Sequence, residues 1–319
     1  MTLSTQYDSF TLSNELTVVE GEGGLPIIKV TNEHAEALIS IYGAQVLSFK
    51  QKPGNAGESH ELLFLSEKAF FEEGKAIKGG IPICWPWFGQ APEATMDKSS
   101  VKNPKEKNRP AHGFARNVLW ELVETASNNA DGTQVVLALQ DSKNSRKLWP
   151  HAFNLSLTIN IGKTLKLSLK TTNTGAQAFS ITQALHSYFS VSDIAKVRVV
   201  GLDKAQYLDA TFAGKKQDWP IVVQSGDITF DKEVDRIYTQ APALSLIDDG
   251  RSQSLKIRSS NSNTTVIWNP WVDLSANSVD LSDDAYKQFV CIETANAAEG
   301  VIEILPGESF ALGAEYSLS

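Results

Sequence analysis

Cysteine is scarce in this sequence, and the spacings that hold metals or redox centres are missing. Among 319 residues there are two cysteines, Cys84 and Cys291, and each lies in hydrophobic sequence without a paired partner. The chain has no His-x-His or Cys-x-x-Cys pair, no glycine-rich phosphate loop and no serine nucleophile elbow. We therefore expect buried, reduced thiols, no metal and no cofactor.

Basic charge and long apolar runs are also missing. The formal net charge is -8, which argues against the broad basic face that nucleic acid or an anionic membrane surface requires. No apolar run is long enough to cross a bilayer, and residues 1–20 lack the pattern of an export signal. We predict a cytoplasmic protein without nucleic-acid or membrane partners. A small anionic ligand stays compatible with this charge, because two or three local cations hold one phosphate.

Helical periodicity is hard to find, whereas short strands separated by turn residues recur. Between residues 153 and 172 apolar side chains alternate with polar ones in two successive runs, joined by a turn at residues 162–164. Many short strands of this kind predict an all-β fold, a large antiparallel β-sandwich or barrel. No internal repeat or low-complexity linker divides the chain, so we predict one domain over residues 1–319.

Residues 181–191 are predicted to form a buried strand with one polar face. The side chains of that face are Thr182, Ala184, His186, Tyr188 and Ser190. His186 is its one group that titrates near neutrality, so the face suits the floor of a polar cleft. The alternative is a histidine hydrogen-bonded inside a core, which is the commoner role of an isolated histidine.

Three further side chains are candidates, and each has a structural alternative. Glu293 ends an apolar strand, where burial would raise its pKa toward that of a general base; the alternative is a glutamate paired with a lysine. His112 lies in a loop close to Arg116, where a histidine is more often exposed and idle. Asp235 precedes Arg236, and a local ion pair is its alternative. Four tryptophans are expected in the core, although flat rings also pack against sugars: Trp85, Trp87, Trp268 and Trp271.

Six ordered blocks resemble one known family, the hexose-6-phosphate mutarotases, which are the glucose-6-phosphate 1-epimerases of the aldose 1-epimerase superfamily. Each block alone is a weak signal, whereas six blocks in the family's order are a strong one. They extend from about residue 75 to the C-terminus. The blocks are Lys78-Gly-Gly-Ile-Pro-Ile-Cys-Trp-Pro-Trp-Phe-Gly89, His112-Gly-Phe-Ala-Arg-Asn117, Leu185-His-Ser-Tyr-Phe189, Val234-Asp-Arg-Ile-Tyr238, Val266-Ile-Trp-Asn-Pro-Trp271 and Cys291-Ile-Glu293.

The resemblance implies a β-sandwich of the galactose-mutarotase type, with the sugar in a cleft across one sheet. Glu293 is then expected to take the proton of the anomeric hydroxyl as general base. His186 is expected to protonate the ring oxygen as general acid. The expected distance between the His186 ring and the Glu293 carboxylate is about a sugar-ring width. The same resemblance implies that His112 orients the substrate or stabilises charge, and that Asp235 hydrogen-bonds sugar hydroxyls.

The resemblance also implies that cations beside the cleft hold a 6-phosphate. Lys78 and Arg116 are the candidates, and Arg116 is better suited to a bidentate contact. Family members often have arginine where Lys78 stands, and Pro-Gly commonly follows the glutamate where this chain has Thr294-Ala-Asn. The second difference concerns the loop after the base. The expected partner is a small hexose 6-phosphate, bound by a monomer without a cofactor.

Two other functions stay open. One is mutarotation of an unphosphorylated aldose such as galactose, which the Trp-Pro-Trp and His-Gly-Phe-Ala-Arg blocks disfavour. The other is a noncatalytic carbohydrate-binding sandwich. A buried carboxylate facing a histidine distinguishes an enzyme from such a module, because binding alone has no need of that pair.

Overall fold

The computed structural model describes residues 6–52, 59–91, 109–128, 132–214 and 216–318. Most of the polar loop at residues 97–109, which we expect to be solvated surface, lies outside the described residues. Of its cations only Arg109 is described, and its guanidinium lies 5.2 Å from the centre of the Trp87 ring. In the described part of the chain no helix is long and apolar enough to span a membrane.

Strands dominate the described chain, as the recurring short alternating runs predict. The strands are β1 Leu16–Glu20, β2 Pro26–Thr31, β3 Ala35–Ser40, β4 Gln45–Gln51, β5 His60–Glu61, β6 Ile83–Cys84, β7 Glu121–Asn128, β8 Gly132–Gln140, β9 Phe153–Ile161, β10 Leu165–Asn173, β11 Phe179–Ile181, β12 Gln183–Leu185, β13 Tyr188–Ser190, β14 Val197–Val200, β15 Gln206–Asp209, β16 Ile221–Val223, β17 Val234–Tyr238, β18 Leu244–Asp248, β19 Gln253–Ser260, β20 Thr264–Asn269, β21 Phe289–Asn296, β22 Ile302–Ile304 and β23 Ser309–Leu318. The helices are short, α1 Ser145–Leu148 and α2 Trp271–Asn277.

The strands form two large antiparallel sheets, a smaller N-terminal sheet and a ribbon. The back sheet has the order β14-β18-β19-β23-β10-β9-β8-β7, and the front sheet has the order β16-β15-β17-β20-β21-β12-β6, with β13 also paired to β21. The N-terminal sheet runs β1-β2-β3-β4-β5, and β11 pairs with β22. The prediction of a large antiparallel β-sandwich is therefore confirmed.

The core lies between the front and back sheets. Strand β9 alternates strictly between buried and half-buried side chains, because one of its faces packs on the core and the other does not. At the sheet interface the Phe189 and Tyr316 rings are 5.1 Å apart, and the Ser187 and Tyr316 hydroxyls are hydrogen-bonded at 2.7 Å. One cluster of buried side chains extends from Tyr7 to Tyr316 and includes all three sheets. We therefore propose that the chain folds as one domain.

Strand β21 lies in the interior of the front sheet, between β20 on one side and β12 and β13 on the other, and it is buried on both of its faces. Val290 and Ile292 point into the main core. Phe289 and Cys291 belong to a second hydrophobic cluster on the outer face of the sheet. Because successive side chains of a strand point to opposite faces, Glu293 emerges on that outer face.

The segment that we predict as one strand over residues 181–191 is instead three short strands, β11, β12 and β13. His186 and Ser187 lie between β12 and β13, where the Ser187 N–H donates to the Leu185 carbonyl at 3.0 Å. The predicted two-residue alternation survives this interruption. Leu185 and Phe189 point into the core, whereas Ala184 and Tyr188 lie in clusters on the outer face.

Candidate active site

His186 and Glu293 are in direct contact on the outer face of the front sheet. The sheet register pairs Leu185 with Thr294 and Tyr188 with Cys291, so the intervening His186 lies opposite Glu293. His186 Nε2 is 3.4 Å from Glu293 Oε1, and the side chains are 9% and 1% exposed. This separation is shorter than the predicted sugar-ring width. It suits a reaction at two oxygens bonded to one carbon, as the anomeric and ring oxygens are.

Burial sets the protonation of this pair. Burial raises the pKa of Glu293 well above its usual value, and the neighbouring Asp235 charge raises it further while Arg116 opposes the change. Burial also lowers the pKa of His186 well below its usual value, as do nearby His112 and the cations Arg116 and Lys78. Both shifts favour neutral groups, so the pair carries no net charge. It holds one proton more than a glutamate anion beside a neutral imidazole, and the two members share this proton.

The two groups keep free hydrogen-bonding capacity toward the site. In the described part of the chain, neither Glu293 Oε2 nor His186 Nδ1 has a hydrogen-bond partner, although both atoms are buried. Glu293 therefore does not pair with a lysine, which was its structural alternative. Buried polar atoms are normally satisfied, so unsatisfied atoms on a contacting acid and base indicate a functional arrangement.

Aromatic rings fix the His186 imidazole. Tyr188 stacks on it with ring centres 4.8 Å apart and an angle of 11°. Trp268 meets it edge-on at 6.1 Å, and so does His112 at 5.7 Å. Trp268 is the one of the four tryptophans that lies at this site, whereas Trp85 and Trp87 are buried in the main core.

His112 is held beside the pair by the loop after residue 109. The backbone N–H of His112 donates to the Gly89 carbonyl at 2.6 Å, and its backbone has a φ of 62°. The next residue, Gly113, has a φ of 73°, and a Cβ there would lie 1.9 Å from the Trp85 carbonyl oxygen, so only glycine fits. Burial, Arg116 and Lys78 lower the pKa of His112 to about 3. His112 is half-buried, so the alternative of an exposed loop histidine is wrong.

Two cations, Lys78 and Arg116, lie near enough to the site for their charges to lower the pKa values of His112 and His186, and each has a different partner. Lys78 Nζ is 3.4 Å from Asp280 Oδ1, and both side chains are 22% exposed. The Arg116 guanidinium donates to the Ala111 carbonyl at 3.0 Å, and its buried Nε has no partner among the described residues. Arg116 thus keeps a donor for another group, whereas Lys78 already has a carboxylate beside it.

Asp235 lies on the front sheet two strands from Glu293. Strand β17 pairs with β20, and Asp235 is opposite Trp268. Burial and the charges of Glu233 and Asp209 raise the pKa of Asp235 to about 6. The local ion pair with Arg236 does not form. Arg236 donates instead to Gln224 Oε1 at 3.1 Å, because adjacent strand residues point to opposite faces.

Replacing Asp235 with asparagine is expected to stabilise the protein above pH 6 by about 1 kcal/mol, after discounting for partial exposure. The raised pKa means that the folded state keeps the Asp235 proton longer than the unfolded state does. Stability is therefore lost as the pH rises from about 4 to 6, and the variant lacks this loss. Urea unfolding at pH 4 and pH 8 measures the difference, with the exposed Asp231→Asn as control. Equal stabilisation at both pH values would contradict the prediction.

Two contacts of this site have no distinct signal in the sequence. Asp280, the partner of Lys78, lies in a polar loop that no block includes. Cys84 contacts the His112 ring, and although it lies within the first block, nothing in its spacing predicts that contact. In the described residues, no group of at least 3 His, Cys, Asp or Glu side chains could hold a metal ion.

The antiparallel sandwich and the buried His186–Glu293 contact among aromatic rings belong to an enzyme that acts on carbohydrates. The aldose 1-epimerase family model matches residues 26–317, and the chain belongs to this family of carbohydrate epimerases. An Escherichia coli protein provisionally named glucose-6-phosphate 1-epimerase is 37% identical over 276 residues, which are 86% of this chain and 84% of that protein.

Solved structures agree with this assignment. A provisionally named mutarotase from Salmonella typhimurium superposes with a TM-score of 0.82 at 31% identity, covering 97% of this chain and 95% of that one. A galactose mutarotase related enzyme from Lactobacillus acidophilus has a TM-score of 0.68 at 16% identity, covering 92% and 97%, and shows the shared fold. The predicted fold of the galactose-mutarotase type is thus confirmed.

Proposed function

We propose that this protein interconverts the α and β anomers of a hexose 6-phosphate, with glucose 6-phosphate as the substrate. The observation that carries the proposal is the buried contact of 3.4 Å between His186 and Glu293, which places an acid and a base side by side. The provisional name of the Escherichia coli relative supports the choice of sugar. The cations Lys78 and Arg116 beside this pair support the phosphate.

The chemistry is proton transfer at the two oxygens of the anomeric carbon. In the reactive state the shared proton is on His186 and Glu293 is ionised. Glu293 removes the proton of the anomeric hydroxyl while His186 protonates the ring oxygen, and the bond between C1 and the ring oxygen breaks. Rotation about the C1–C2 bond of the free aldehyde exposes its other face. Reclosure with the proton transfers reversed gives the other anomer.

The surrounding side chains bind and orient the sugar. We assign His112 and Asp235 to hydrogen bonds with sugar hydroxyls, and Trp268 to packing against the apolar side of the sugar ring. We place the 6-phosphate on Arg116, whose Nε has no partner among the described residues, with Lys78 contributing charge from its ion pair with Asp280.

The deciding experiment follows anomeric equilibration of freshly dissolved α-glucose 6-phosphate by polarimetry or NMR, with and without the protein. We expect acceleration over buffer that is proportional to protein concentration. Acceleration of glucose but not of its phosphate would favour mutarotation of unphosphorylated aldoses. Binding without acceleration of either sugar would favour a noncatalytic carbohydrate-binding sandwich, and would refute the enzyme proposal.

Replacing Arg116 with lysine is expected to raise the KM for glucose 6-phosphate about tenfold, because lysine cannot make the bidentate contact. The rate with unphosphorylated glucose should not change, since that sugar has no group for Arg116 to hold. Measuring kcat and KM for both sugars tests this. Arg258→Lys on the back sheet is the matched control. A loss that is equal for the two sugars would contradict the phosphate role.

We also propose that the enzyme works as a monomer in the cytoplasm, which agrees with the two buried free thiols Cys84 and Cys291. Size-exclusion chromatography with light scattering measures the oligomeric state. Fractionation of the cells that produce the protein measures its location.

A further inference from the structure

Two protein groups, the Gly89 backbone N–H and the Cys84 thiol, contact the same ring nitrogen of His112, Nδ1. The Gly89 N–H donates to His112 Nδ1 at 3.4 Å, and Cys84 Sγ lies 3.4 Å from that same atom. The Phe88 ring holds the imidazole edge-on at 4.9 Å. A backbone N–H can only donate, so this contact favours an Nδ1 that accepts and carries no proton, but one N–H donor at 3.4 Å holds the tautomer only weakly.

The Cys84 thiol is able to act as the second donor to Nδ1. Its side chain is 0% exposed, and burial raises its pKa to about 12, so it keeps its proton near neutral pH. The distance of 3.4 Å is long for an N–H donor but ordinary for the larger sulfur atom. His112 is itself neutral, since its pKa is lowered to about 3. A neutral imidazole with a bare Nδ1 carries its proton on Nε2.

We propose that Cys84 is a positioning residue, whose thiol acts with the Gly89 amide to fix His112 as the neutral tautomer that offers Nε2–H to a substrate oxygen. The substrate in this inference rests on the proposed function, whereas the tautomer of His112 rests on the contacts of its Nδ1 atom alone. It gives the two neighbouring histidines different tasks. His186 exchanges a proton, whereas His112 donates a hydrogen bond and keeps its proton throughout the reaction.

The tautomer is measured without substrate, by long-range proton–nitrogen NMR of the nitrogen-15-labelled protein between pH 5 and 8. Protonated and bare ring nitrogens have well-separated nitrogen shifts, and His112→Gln identifies the signals among the 5 histidines. We expect a protonated Nε2, a bare Nδ1 and no titration over this range. A protonated Nδ1, or titration within the range, would overturn the proposal. This result stands whether or not the protein accelerates anomer exchange.

The role of the thiol is measured with two variants. Cys84→Ala removes the donor and is expected to lower kcat/KM about fivefold and to give His112 signals of mixed tautomers. Cys84→Ser keeps a donor and is expected to restore most of the rate and a single tautomer. Cys291→Ala, which removes another fully buried thiol from the same sheet, should leave the His112 signals unchanged. Equal rates in the alanine and serine variants, with the His112 signals of the parent, would show that the thiol only fills space and would overturn the proposal.

Discussion

Replacing Glu293 with glutamine is expected to lower the rate of anomer exchange about 10²- to 10⁴-fold, because the amide cannot accept the anomeric proton. Glutamine keeps the size of the side chain, so substrate affinity should change little. The loss should therefore appear in kcat and not in KM. Saturation kinetics with glucose 6-phosphate measure both quantities. Glu303→Gln, an exposed glutamate on β22, is the matched control.

The same variant is expected to be more stable than the parent. Burial raises the pKa of Glu293, so ionising this group in the folded protein costs free energy above neutral pH. Its partner His186 stays neutral without the carboxylate, so the substitution leaves no unpaired charge behind. We expect the unfolding temperature at pH 8 to rise by about 2 °C or more.

The two readouts of Glu293→Gln together separate function from structure. A variant that is inactive and more stable has lost chemistry and not its fold, which is the usual trade-off at an active site. Loss of activity together with a lower unfolding temperature would instead assign Glu293 a structural role. Retention of activity would remove it from the mechanism.

Replacing His186 with asparagine is the second large effect, and a loss of about 10²- to 10⁴-fold is expected. Asparagine can still donate a hydrogen bond, but it cannot deliver a proton to the ring oxygen. The exposed His60→Asn is the control. If the variant were restored to the parent rate by raising or lowering the pH, the assignment of His186 as the acid would be wrong.

The double variant tests whether the two groups act as a unit. Since Glu293 and His186 share one proton, removing the second group should add little to the loss caused by the first. We expect the rate of the double variant to lie within about tenfold of the slower single variant. Losses that multiply would indicate two independent roles.

Local patterns in the sequence predict much of the fold. The alternation of residues 153–172 gives the buried faces of β9 and β10, since one face of each strand packs on the core. The outer-face position of His186 also follows from alternation, although the strand around it is interrupted. The interruption itself is not predictable, because it depends on contacts with distant segments, such as the His186 N–H bond to the Pro82 carbonyl.

The sequence predicts which residues belong to the candidate site, but it does not predict which of them are in contact. Alternation and the resemblance single out His186 and Glu293, yet their adjacency depends on the pairing of β12 and β13 with β21, about 100 residues later in the chain. The ion pair of Lys78 with Asp280 and the contact of Cys84 with His112 depend in the same way on tertiary structure. Sequence spacing carries no information on such contacts between distant residues.

Strand β21 is buried along its whole length and is hydrogen-bonded on both sides. Amide hydrogens in such an interior strand are expected to exchange with solvent only when the whole molecule opens. Glu293, the proposed base, is therefore expected to lie in the part of the protein that unfolds last. Fraying of the outer strands or loops leaves Glu293 in place, so catalysis and the folded state should disappear in a single cooperative step.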